Sequence, residues 1–336
     1  MANRKKSHSG ELALIARLRT LAGTPSGSQV RLGIGDDCAI LRAPARHELL
    51  VTTDFSLEGR HFRRAWHSPQ SIGHRTLTRG LSDLAAMGAR PLAAFLSLAL
   101  PKAVVRDTRW LDGFLAGLLA LARENKVPLA GGDTSEAPGT EVLADIVLVG
   151  SAPAGRALTR SGARPDDTIY CTGALGGAAA ELAQLSKAPA RFRRATADKA
   201  HPHLFPQPRL AVGATLLHHR LATACIDVSD GLSTDLNHLC EASGVAAELD
   251  AALLPAHPLS ATLALAQQMA AILHGGEDYE LLFTARPTAK IPRSLFGVPI
   301  TRIGRIVRYN KSRSRVTIVA EGTRFELQPR GWEHLR

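Results

Sequence analysis

The ten residues PLAAFLSLAL, 91 to 100, are the most apolar run of the chain and stop at Pro101. A helix needs about 20 apolar residues to cross a bilayer, so this run is too short to span one and reads as a buried strand. Other strand-like runs are HELLVTTDF from 47, VPLAGGDT from 127, EVLADIVLVGSA from 141 and ATACIDV from 222. The first is expected to leave its strand after Asp54, and the second to end at its glycines. Helical spacing separates them. Leu12, Ile15, Leu18 and Leu21 repeat along residues 11 to 21; Leu77, Leu81 and Leu84 repeat along 70 to 88, with Gly88 as the stop. Further helices are predicted over 109 to 124, after the glycines of GALGG, over 209 to 218, and from Leu232. Strands and helices mix throughout, so the fold class is α/β or α+β.

A chain of 336 residues exceeds one ordinary core. The texture changes at GRALTRSGARPDDTIYCTG, which places a boundary near 150 and two domains over 1–150 and 151–336. Residues 187 to 208 are basic, contain four prolines, and are expected to be a mobile loop outside the core. Cys38, Cys171, Cys225 and Cys240 show no CxxC spacing, so they are expected to be buried thiols of a reducing compartment. MANRKKSH lacks the apolar core of a signal peptide. A cytoplasmic protein is expected, without a membrane partner.

The formal charge of +11 suggests a basic RNA-binding protein as one function class. Its Lys and Arg are scattered and no aromatic-rich binding signature accompanies them, which favours a protein that handles small anions and no nucleic acid.

Against that basic background the aspartates stand out. Asp36 and Asp37 (GIGDDC), Asp54 (VTTDF), Asp133 (AGGDTS), and Asp227 with Asp230 (IDVSDGLS) follow or adjoin apolar runs, where a chain leaves a sheet and meets ligands. Asp83 sits mid-helix among Leu81, Leu84, Ala85 and Ala86, a costly place for an acid. Each has a simpler role open to it: Asp230 as the cap of the helix at Leu232, Asp133 as a turn residue, Asp37 as an acceptor within its own loop. Together they suit Mg²⁺, a hard cation that holds few carboxylates and shares its shell with water and phosphate oxygens. Thr52 and Thr53 add hydroxyl or carbonyl oxygens. Several ions are expected, arriving with a phosphate-rich ligand.

The glycine loops GGDT at 131–134 and TGALGG at 172–177 offer backbone N–H groups to phosphate. Arg160 is placed either to grip a triphosphate or to lie on the surface. A GxxxxGK[ST] loop and the HRD and DFG motifs are lacking, which excludes P-loop enzymes and protein kinases.

GIGDDCAIL, TTDFSLEGRHF, LSDLAAMGA, GGDTS, GRALTRSGA, IDVSDGLSTDL and GGEDYELLF occur in the order expected of the thiamine-monophosphate kinase family, over roughly residues 11 to 335. The chain resembles that family. The wider superfamily includes aminoimidazole ribonucleotide synthetase, selenophosphate synthetase and a hydrogenase maturation protein. The resemblance implies a two-domain synthetase-like fold, a homodimer formed through the N-terminal sheet, and ATP bound near that seam. It implies Mg²⁺ ligands at Asp37, Thr52, Thr53, Asp54, Asp83, Asp133, Asp227 and Asp230. Nucleotide contacts fall on Gly132, Asp133, Arg160 and Ser229. Thiamine monophosphate contacts fall on His61, Glu277 and Trp332. Arg79 and Gly80 stand where many relatives have a small residue and Asn. The implied reaction is direct, in-line transfer from ATP to thiamine monophosphate with no catalytic base. The nearest alternative is another ATP-dependent synthetase of the superfamily. No reactive Cys occupies an N-terminal glycine-rich loop, which disfavours the selenium enzyme.

Overall fold

The computed structural model describes residues 11–23 and 29–331, the first four as backbone alone. The chain divides into two compact units, one of residues up to 80 together with 91–151, the other of 81–90 together with 152–336. Among the described residues no helix is long and apolar enough to cross a membrane.

The first stretch of chain runs through α1 (Glu11–Ala22), β1 (Val30–Leu32), β2 (Ile40–Leu41), β3 (His47–Leu57), α2 (Pro69–Ala86), β4 (Arg90–Leu100), α3 (Lys102–Arg106), α4 (Thr108–Glu124), β5 (Leu129–Glu136) and β6 (Leu143–Pro153). Four strands form a sheet in the order β3-β6-β4-β5. The apolar run at 91–100 is β4, an interior strand. β4 and β5 are parallel, with Leu96 opposite Gly132 and Ser97 opposite Asp133. Val30, Ala93 and Ala130 form a small core that seats the β1–β2 pair on these strands. The Asp107 carboxylate caps α4, accepting the N–H groups of Arg109 and Trp110, each at 3.2 Å. Helices α2 and α4 approach closely through glycine: a Cβ on Gly117 would lie 1.9 Å from the Gln70 carbonyl oxygen. Only glycine fits there.

The rest of the chain runs through β7 (Thr168–Thr172), α5 (Gly177–Lys187), α6 (Leu210–His218), β8 (Ala224–Val228), α7 (Leu232–Ser243), β9 (Ala246–Asp250), α8 (Leu265–His274), β10 (Glu280–Ala285), β11 (Ser294–Leu295), β12 (Val298–Val307), β13 (Val316–Ala320) and β14 (Thr323–Glu326). The second unit's sheet has the order β14-β13-β9-β12-β7-β10-β8, with β11 folded onto β12. β9 and β13 are parallel, and the remaining recorded pairs in this sheet are antiparallel. Its core gathers Ile169, Cys171, Ile226, Val228, Leu236 and Leu239. Strand alternation therefore sends Asp227 to the opposite face of β8 from Ile226 and Val228.

Several local expectations need correction. β3 continues past Asp54 to Leu57, because the strand keeps its in-and-out alternation through Ser56. β5 runs through both glycines to Glu136, held by its parallel ladder to β4. Cys38 is exposed, while the other three cysteines are buried. The loop after α5 is not detached from the core. His203, Leu204 and Phe205 within it are buried.

Candidate functional site

The first unit holds a cavity of about 640 Å³. Its lining includes Asp36, Asp37, Cys38, Gly132, Asp133 and Thr134. Asp36 and Asp37 lie between β1 and β2, and Asp36 Oδ1 accepts the Asp37 N–H at 2.9 Å. The local acceptor is thus Asp36, and the Asp37 carboxylate extends into an exposed loop. Opposite it, β5 carries Gly132 at φ +146°, a conformation disfavoured for other residues. A Cβ there would meet the Leu96 carbonyl oxygen at 1.8 Å. Asp133 is exposed on the same strand, so it is not a turn residue. Thr134 Oγ1 is buried in the cavity lining without a hydrogen-bond partner in the protein. Three carboxylates, exposed glycine backbone and an unsatisfied hydroxyl offer oxygen donors for a hard cation and polar groups for phosphate.

On β3 the predicted ligands split by strand parity. Thr52 and Asp54 are partly buried, whereas Thr53 points outward, donating from Oγ1 to Asp145 Oδ1 at 2.8 Å. The Thr53 hydroxyl is committed, which leaves its carbonyl as the other oxygen. Asp54 Oδ1 lies 3.4 Å from Arg79 Nη2. His61 Nδ1 accepts the Leu57 N–H at 2.9 Å, and its carbonyl accepts from Arg75 Nη2 at 3.1 Å. The imidazole is thereby oriented, with Nδ1 as its acceptor.

The second unit carries its own acidic group. Ser82 donates from Oγ to Asp227 Oδ2 at 2.7 Å, and Asp83 follows it at the end of α2. Asp230 does not cap α7: that position belongs to Gly231, without a side-chain bond. Asp235 does the equivalent work from inside the helix. Its Oδ2 accepts the N–H groups of Ser229, Asp230 and Gly231 at 3.1, 3.0 and 2.9 Å. Burial, then the Asp227 and Asp230 charges, push its carboxyl well above the usual carboxylate range despite those bonds. Sequence reading missed Asp235, although it lies within IDVSDGLSTDL; its signal was an acid in a helical first turn.

Ser229 and Glu277 are joined directly, the Glu277 N–H donating to the Ser229 carbonyl at 2.8 Å. Arg160 is exposed, and its carbonyl accepts from Ser243 Oγ at 2.9 Å. Trp332 lies outside the described residues. Its neighbour Gly331 donates its N–H to Thr234 Oγ1 at 3.0 Å. Thus Ser229, Asp230, Glu277 and Gly331 meet around the β8–α7 turn. Among the described residues no three His, Cys, Asp or Glu side chains are grouped to hold a metal ion by themselves.

Residues 35–152 match the family described as AIR synthase related protein, N-terminal domain, and residues 164–316 match its C-terminal domain. Thiamine-monophosphate kinase of Escherichia coli (strain K12) is 39% identical over 334 residues, covering 97% of this chain and 98% of that protein. The chain belongs to the thiamine-monophosphate kinase family. Among solved structures, thiamine-monophosphate kinase from Stenotrophomonas maltophilia K279a has a TM-score of 0.79 and 34% identity, covering 95% of this chain and 98% of that one. AaThiL complexed with AMPPCP and TMP has a TM-score of 0.72 and 27% identity, with each chain covered completely. Membership of the thiamine-monophosphate kinase family agrees with the α/β class and with the order of the acidic motifs.

Proposed function

We propose that this chain transfers the γ-phosphoryl group of ATP to thiamine monophosphate, giving ADP and thiamine diphosphate. The observation that carries this reading is the cavity where Gly132 and Asp133 share a lining with Asp36 and Asp37. Family membership narrows the acceptor. A phosphate monoester has its second pKa near 6, so the acceptor oxygen is already ionised at neutral pH and needs no base. That oxygen bonds to the γ-phosphorus as the bond to the bridging oxygen of ADP breaks, in line.

The proposed cation ligands are Asp36, Asp37, Thr52, Thr53, Asp54 and Asp133 in the first unit, and Asp83, Asp227 and Asp230 in the second. They are hard oxygen donors, consistent with Mg²⁺ that keeps part of its shell for water and phosphate. Bound Mg²⁺ supplies charge neutralisation: each pair of like unit charges about 4 Å apart repels by roughly 4 kcal/mol at an effective dielectric near 20. Gly132, Asp133, Arg160 and Ser229 are the proposed nucleotide contacts. His61, Glu277 and Trp332 are the proposed thiamine contacts.

We further propose a homodimer through the outward face of β3, where Leu49, Val51 and Phe55 are exposed. A row of apolar side chains on a sheet's edge strand favours burial against a second copy. The three buried free thiols fit a cytoplasmic setting.

The test is to incubate the protein with ATP, Mg²⁺ and thiamine monophosphate and separate the products by chromatography. Thiamine diphosphate should appear in step with ADP, and not from free thiamine. ADP released only with an aminoimidazole precursor would transfer the chain to the other synthetase reading.

A further inference from the structure

We propose that His203 is the positioning residue that aims the Glu277 carboxylate at substrate, and that Glu181 holds the loop in place for this purpose. The inference rests on the reading of Glu277 as a thiamine monophosphate contact.

The three acids of GGEDYE have separate surroundings. Asp278 is buried and accepts the N–H groups of Gly176 and Ala178 at 2.7 and 3.0 Å. Glu280 is buried and paired with Arg209, Oε1 to Nη2, at 2.5 Å. Against a nearly buried Glu280, Glu277 keeps 21% of its side chain exposed. Its backbone is fixed by the bond to Ser229 and by a left-handed φ of +67°. The side chain still has three rotatable bonds, and fixing them at binding would weaken affinity.

His203 supplies one constraint on them. Its Nδ1 stands 3.3 Å from Glu277 Oε2, and its ring is 1% exposed, so packing holds the ring in place. The ring belongs to the loop after α5, which is itself anchored. Glu181 Oε2 on α5 accepts the N–H groups of His203 and Leu204 at 2.7 and 3.1 Å. Glu181 Oε1 lies 2.5 Å from His201 Nδ1. A carboxyl group 1% exposed is costly unless its oxygens are bonded, and these bonds all go to one short stretch of loop. Helix α5, the loop and Glu277 thus form one connected chain of contacts.

Steady-state kinetics on the full chain separate positioning from general structure. His203→Ala should raise KM for thiamine monophosphate about tenfold, with kcat and the KM for ATP changed by less than about twofold. His203→Asn retains a side-chain donor near the Nδ1 position and should recover most of the loss. Glu277→Gln should reproduce the KM effect, and adding His203→Ala to it should cost nothing more. If His203→Ala fails to fold, the cycle is run with His203→Asn and His203→Leu. An unchanged KM for thiamine monophosphate, equal rises for both substrates, or additive losses in the double variant would overturn the role of His203. Absence of thiamine diphosphate formation by the wild type would instead overturn the functional reading beneath it.

Discussion

Arg79 Nη2 lies 3.4 Å from Asp54 Oδ1, which sets a fixed cation beside a carboxylate proposed to bind a mobile one. On the proposed reading, the two cations would compete for the same oxygens. Arg79→Met should therefore lower the Mg²⁺ concentration needed for half-maximal turnover. The contact is partly exposed, so its worth is at most about 1 kcal/mol, or roughly fivefold in that concentration. A Mg²⁺ titration of activity and of thermal stability checks this. A rise in the Mg²⁺ concentration needed for half-maximal turnover would mean that Arg79 orients Asp54 instead.

Gly132→Ala and Gly131→Ala should differ sharply. At Gly132 the new methyl meets a backbone oxygen at 1.8 Å and the backbone sits at φ +146°. At Gly131 it meets the Phe95 ring at 2.9 Å, and a side chain can shift. We expect Gly132→Ala to lose about 2–4 kcal/mol of stability and its nucleotide binding, and Gly131→Ala to lose no more than about 1 kcal/mol. Chemical denaturation with and without ATP distinguishes them.

The carboxyl of Asp278 is pushed up to about 7, chiefly by burial, against the pull of its bonds to backbone N–H groups. A folded-state pKa raised above the unfolded one gives stability that is complete below about 4 and is lost as pH rises toward 7. Asp278→Asn, which cannot ionise, should be less stable at low pH through a lost acceptor, yet its stability should decline less between pH 4 and about 8. Melting curves across that range give the comparison; parallel pH profiles would refute it.

Val51 is 68% exposed and Phe55 63% on the outward face of β3. Val51→Glu should leave the monomer folded and convert the proposed dimer to monomer, read by light scattering at several concentrations. Persistence of a dimer would move the interface elsewhere. Charge on an exposed strand surface typically changes intrinsic stability by no more than about 0.5 kcal/mol.

Much of the scaffold was legible because its signals were local. Leu77, Leu81 and Leu84 repeat at helical spacing and form one buried side of α2. The run at 91–100 is apolar on both parities, as an interior strand must be. The acidic motifs marked Asp36, Asp37 and Asp133, which line one cavity. Other features depend on partners distant in sequence. The basic composition of 187–208 concealed Glu181, whose carboxyl pulls His203 and Leu204 inward. Gly131 and Gly132 look like a strand end until the β4 ladder runs beside them. Thr53 looks equivalent to Thr52 until strand parity turns it toward Asp145. The general tendency of thiols to be buried misplaced Cys38, which sits exposed in the loop between two short strands.

The bonds from Glu181 reach His201, His203 and Leu204, while residues 196–198, on the near side of that attachment, are exposed. The loop is thus divided into a part fastened to α5 and a part that lies exposed. An epitope or fluorophore spliced after Ala197 should be accommodated without disturbing Glu277, whereas the same graft after Pro202 would pull out the fastening. The chain therefore carries an attachment point for a reporter on the same loop as His203.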